Sequence, residues 1–173
     1  MKYTLLATML FFAIPLAALA DAPAMPAPKM AQLAGTWTCK TAAGSSATRV
    51  YTLAPDGSIH EHDGWQHPSG VHGAWDETFT YDASNNVWRA QQIGSNGWTF
   101  TASSPGFNGY TIEYAGVQLQ GLNRVQVRER YTIDRPQHFT HVWEAYNGNT
   151  WVPTAYGDCS LVTTSSATTS TTP

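Results

Sequence analysis

Period-two alternation of apolar and polar residues, cut at close intervals by turn signals, restricts the fold of this chain more than any other feature. Successive side chains of a strand point to opposite faces, so such alternation marks strands with one buried face. No long segment places apolar residues at i, i+3, i+4 and i+7, so no substantial helix is expected. The pattern predicts ten strands, over residues 35–41, 48–54, 58–63, 72–82, 87–93, 98–103, 110–115, 123–134, 138–146 and 150–161. Pro55-Asp56-Gly57-Ser58 is a strong turn, because Pro presets φ and Gly accepts positive φ. Asn96-Gly97 carries the favoured pair for a tight hairpin, and Asn147-Gly148-Asn149 closes the last one.

Short loops between consecutive strands make an antiparallel meander. Eight to ten such strands commonly remove their exposed edges by closing on themselves. The expected fold is therefore all-β: an antiparallel up-and-down β-barrel of about 8–10 strands. A two-sheet sandwich is the alternative, but connections this short leave little room for Greek-key crossings.

The cysteines bear on closure. The chain has two, Cys39 in the first predicted strand and Cys159 in the last. In a closed meander these strands are neighbours, and two cysteines allow one pairing. A Cys39–Cys159 disulfide would fasten the seam. It would close a loop of about 120 residues, worth roughly 4–5 kcal/mol in the chain-entropy model.

Residues 1–20 read as a signal peptide: Lys2 provides a positive start, an apolar run follows, and Ala18-Leu19-Ala20 offers small residues for cleavage. The expected location is export, to a periplasm or beyond the cell, where a disulfide is permitted. No stable membrane insertion is expected after cleavage. Residues 21–30, rich in Pro and Ala, read as an extended linker. Residues 163–173, almost all Ser and Thr, read as a disordered tail. The barrel domain is then 31–162. Nine basic residues against twelve acidic give a net charge of −3, so no nucleic-acid partner is expected.

The segment Leu33-Ala34-Gly35-Thr36-Trp37-Thr38-Cys39 resembles the opening strand of lipocalin-like barrels, where Gly-x-Trp sits at the closed end. More specifically, the chain resembles a family of exported bacterial proteins with a lipocalin-like (calycin-type) barrel. Further matching segments are Tyr81-Asp82 followed by Val87-Trp88, the run from Arg128 to Asp134, and Asn147 to Trp151 leading on to Cys159. The resemblance covers nearly all of the predicted domain. It implies a barrel with an internal cavity and brings no assigned activity.

Strand parity nominates the interior. Trp75, Glu77 and Phe79 share one face. Tyr110 and Tyr114 share another, as do Glu129 and Tyr131 on a third strand and His141 and Trp143 on a fourth. Together they suggest an aromatic cavity with a few polar groups, the usual make-up of a small-molecule site. The competing reading is a filled barrel acting as a structural envelope-interaction domain. A second cluster holds His60, His62 and His72. His-x-His puts two imidazoles on one strand face, and with His72 could bind zinc or copper, as a metal carrier or metal-dependent enzyme. Trp65, Trp88 and Trp98, if exposed, could stack on sugar rings. No Gly-x-Ser-x-Gly elbow or phosphate loop occurs, so no catalytic residue is assigned. The expectation is a non-enzymatic barrel, without a cofactor, that binds a small apolar or amphipathic molecule. No protein partner is indicated.

Overall fold

A computed structural model describes residues 29–41 and 44–163. The predicted signal peptide, most of the predicted linker and nearly all of the predicted tail lie outside the described residues. A short 3-10 turn, Lys29–Leu33, leads into eleven strands. They are β1 (Gly35–Thr41), β2 (Ser46–Leu53), β3 (Ile59–Gln66), β4 (His72–Asp82), β5 (Val87–Gly94), β6 (Thr99–Ser104), β7 (Phe107–Asn108), β8 (Thr111–Gln120), β9 (Asn123–Arg135), β10 (His138–Tyr146) and β11 (Trp151–Leu161). Every ladder is antiparallel, and each barrel strand pairs with its neighbours in sequence. β6 pairs directly with β8, leaving the two-residue β7 as a side ribbon, and β1 pairs with β11. The result is a closed, ten-stranded up-and-down barrel, as the alternation predicts.

The seam between β1 and β11 sets Cys39 opposite Cys159 in register, and the two are disulfide-bonded. The bond ties the beginning of the barrel to its end. No helix among the described residues is long and apolar enough to cross a membrane.

One end of the barrel is stoppered. Met30 and Leu33 of the 3-10 turn are fully buried, and Trp37 Nε1 donates to the Leu33 carbonyl at 2.6 Å. That bond satisfies the indole N–H and holds the turn across the barrel end. Met30 belongs to the stretch predicted as linker, so the packed unit reaches at least that far. Above the stopper lies an apolar layer of Tyr51, Ile59, Phe79, Ile112, Tyr131 and Phe139. Phe139 meets Trp37 edge-on at 4.8 Å, and Phe79 meets Tyr131 edge-on at 5.7 Å, geometries that aromatic quadrupoles favour. The hairpins β1–β2, β3–β4, β5–β6, β8–β9 and β10–β11 gather at the opposite end, which is open.

One local expectation changes. β8 runs five residues beyond the expected 115. Glycine weakens a strand pattern, but Gly116 lies where the β6 backbone at Thr101 and Ala102 comes too close for any side chain.

Candidate functional site

The upper half of the barrel is built asymmetrically. β1, β2 and β11 contribute Cys39, Ala47, Ala155 and Gly157 to the interior, while β3 and β4 contribute Trp65 and Trp75. Small residues facing large flat ones leave a cavity of about 430 Å³ beneath the open end, with Arg49 and His141 deeper in it. A connected recess of about 200 Å³ shares Trp75, His141 and Ala155 and adds Gln92, Trp98, Gln118 and Trp143. A third, of about 610 Å³, opens at the rim beside β8–β9 and is lined by Trp143, Arg124 and Val125 among others. Glycines seat the tryptophans. Trp65 lies against Gly73, its partner across the β3–β4 ladder, and Trp98 lies against Gly94; a Cβ at either glycine would strike the indole. Trp98 in turn meets Trp143 at 6.0 Å, and Trp143 meets Phe100 at 4.6 Å, a continuous aromatic wall.

Below the cavity sits a buried polar layer. Arg49 Nε lies 2.7 Å from Asp63, Nη1 lies 3.3 Å from Glu61, and Nη2 lies 3.0 Å from His141 Nδ1. A guanidinium only donates. His141 Nδ1 is therefore the acceptor, and the ring proton sits on Nε2, which donates to Glu129 at 2.7 Å. Burial first, and Arg49 second, hold the His141 pKa well below the usual imidazole range, so this ring is neutral. The Tyr131 hydroxyl lies 2.9, 3.1 and 3.3 Å from oxygens of Glu129, Glu61 and Glu77. One hydroxyl carries one proton, so three carboxyl oxygens around it require further protons from the carboxyls themselves. The titration directions agree. Burial raises Glu61, and burial with the neighbouring Glu129 raises Glu77 well above the carboxylate range. Burial also lifts Asp63 and Glu129 to about 7, outweighing the attraction of Arg49. Glu77 Oε2 accepts from Gln92 Nε2 at 3.1 Å.

The residues nominated from the sequence fall into three groups. Trp75, His141 and Trp143 line the cavities. Glu77, Tyr114, Glu129 and Tyr131 are interior but form the polar layer and core beneath, and Phe79 is wholly in the core. Tyr110 is a correction. It lies in the turn before β8, at the stoppered end, 63% exposed, with Lys29 Nζ over its ring. The strand begins one residue later than the alternation suggested, so Tyr110 never enters the barrel.

The histidine cluster does not assemble. His60 and His62 point outward from β3, where they meet Thr78 at 3.1 Å and Asp76 at 2.7 Å. His72 pairs with Gln66, four positions along the ladder from the His62–Asp76 pair, and faces solvent. Among the described residues no group of three His, Cys, Asp or Glu side chains is placed to hold a metal ion. Of the tryptophans considered for sugar stacking, Trp88 is buried against Tyr81, while Trp65 and Trp98 face the cavity. Arg49, Glu61, Asp63 and Gln92 were not nominated. Their signal was parity with Tyr51, Ile59 and Trp88, which fixes the inward face of β2, β3 and β5.

No protein-family model matches the chain, and no curated protein sequence does. Among solved structures it is similar to the crystal structure of Rv2717c from M. tuberculosis, with a TM-score of 0.63 over 80% of this chain and 98% of that one. Sequence identity is 11%, so the likeness concerns the fold.

Proposed function

We propose that this chain is an exported, lipocalin-like barrel that holds a small apolar or amphipathic molecule in its open half, without catalysing a reaction. The observation that carries this reading is the tryptophan-walled cavity of about 430 Å³ facing a wall of alanine and glycine. Binding sites for small molecules are commonly about 300–1,000 Å³, largely apolar, with few polar groups placed among aromatic rings. Filled small barrels often alternate small and large interior residues; in the lining of this cavity the small ones come from β1, β2 and β11. The polar groups at the cavity floor hold one another in place with donors to spare, which suits orientation of a ligand more than turnover. Export is supported by the sequence of residues 1–20 and by the Cys39–Cys159 disulfide, which an oxidising compartment permits.

Native mass spectrometry of the protein purified from its own host tests the reading, with an Ala155→Trp variant as control. Wild type should carry a small molecule and the filled variant should not. Clean apo masses for both, together with no calorimetric response to aromatic probes, would remove it.

A further inference from the structure

We infer, building on the binding reading above, that the molecule held in this mouth carries an anionic, carboxylate-type head group, received by Arg49 and by the indole N–H of Trp75. The first observation is which charges reach the cavities. Arg49 lines the main cavity and Arg124 the rim recess, and no Asp or Glu lines any of the three recesses. The acidic side chains of the interior lie behind Arg49, away from the opening.

Unused hydrogen-bonding capacity is the second observation. Arg49 is 3% exposed; Asp63, Glu61 and His141 each face one of its guanidinium nitrogens, and the guanidinium carries more N–H donors than these three partners use. Trp75 Nε1 is buried without an acceptor. Such groups are costly to leave unpaired. Both residues face the same cavity, and Arg49 lies 5.3 Å from the Trp75 ring centroid. The missing partner is therefore an acceptor. A carboxylate presents two oxygens to a guanidinium fork and can reach a third donor beside it. Gln92 Oε1, in the side recess, is a buried acceptor without a partner, where an O–H or N–H elsewhere on the ligand would fit.

The acid layer does not oppose this. The proton sharing forced around the Tyr131 hydroxyl leaves fewer than four negative charges on Glu61, Asp63, Glu77 and Glu129, and Arg49 stands between them and the cavity.

Calorimetric titration of the full chain with 2-naphthoate, 2-naphthamide and 2-naphthylmethylammonium separates the possibilities. The carboxylate should bind about tenfold or more tightly than the amide, as charge-assisted bonds exceed neutral ones, and the ammonium should bind weakest. Trp75→Phe, which keeps a ring but loses the N–H, should shrink the advantage of the carboxylate over the amide. Arg49→Lys should shrink it further; should that variant fail to fold, the Trp75→Phe comparison still decides. If the amide or the ammonium binds wild type as tightly as the carboxylate, the anionic head group is wrong while the binding reading stands. If none of the three binds, both fall.

Discussion

His141 Nε2 donates to Glu129 at 2.7 Å while its Nδ1 accepts from Arg49, so one neutral imidazole links the cation of the barrel to its acid layer. The tautomer follows from the donor-only guanidinium. In ¹⁵N-resolved spectra the His141 ring should show the Nε2–H form and should not titrate between pH 5 and 8, because burial holds its pKa well below 6.5. A ring that gains a proton near pH 6.5 would contradict the arrangement.

The Cys39–Cys159 bond spans 120 residues of sequence and joins two strands that already pair. Its removal by Cys39→Ala/Cys159→Ala should lower stability by about 2–4 kcal/mol, below the entropic estimate where the unfolded chain retains structure. Urea unfolding of both forms checks this, and equal midpoints would mean that strand pairing alone closes the barrel.

Strand number, closure and the disulfide were legible because they rest on parity and on turn chemistry, both local. The aromatic members of the site were legible for the same reason: Trp75 and Trp143 sit on strands whose apolar parity is unmistakable. Segment 59–66 hid more. It reads His-Glu-His-Asp, and the histidines drew attention as metal ligands, although Ile59 places Glu61 and Asp63 inside. Burying two carboxylates runs against transfer energetics, and only the pairing of β2 with β3 brings Arg49 to them. That partner lies twelve residues from Glu61 and fourteen from Asp63, across a turn, so strand composition could not supply it. The position of the cavity was equally non-local, since it depends on small residues from β1, β2 and β11 meeting in space.

The acid layer makes stability fall as pH rises. Glu61, Asp63, Glu77 and Glu129 have raised pKa values in the fold, so across pH 5–7 the native state binds more protons than the unfolded chain. Where the native state holds the extra protons, unfolding free energy declines with pH. His141, with its lowered pKa, acts oppositely below about 6.5, but it is one group against four. The urea midpoint should therefore drop from pH 5 to pH 8. Glu77→Gln, replacing an acid already neutral, should cost little at pH 5 and flatten the slope. A midpoint that climbs over this range would show the carboxyls to be ionised in the fold.

Gly94 gives Trp98 its seat. A methyl group there would overlap the indole, and the ring must swing away from Trp75 and Trp143. Gly94→Ala should cost about 1–3 kcal/mol as an overpacked site, alter the near-ultraviolet circular dichroism, and weaken 2-naphthoate binding. Unchanged spectrum and affinity would mean that Trp98 takes no part in the wall.

Anion binding should also depend on pH. An anion at Arg49 disfavours charge on the carboxyls nearby, so its arrival draws protons onto the layer. The groups facing Arg49 are Tyr51 on its own strand, Glu61 and Asp63 on β3, Glu129 and Tyr131 on β9, and His141 on β10, with Glu77 on β4 behind them. Burial keeps the tyrosines protonated and His141 neutral, which leaves the carboxyls as the groups that respond: Asp63 and Glu129, at about 7, and Glu61, which burial also raises. 2-Naphthoate stays ionised above about pH 6, as carboxylates do. Its affinity should therefore fall between pH 6 and pH 8, with protons taken up on binding and read as a buffer-dependent enthalpy. The neutral amide should show neither effect. Equal pH dependence for amide and carboxylate would place the response in the barrel as a whole; affinity for the carboxylate that stays flat from pH 6 to pH 8 would mean that the acid layer is insulated from the cavity.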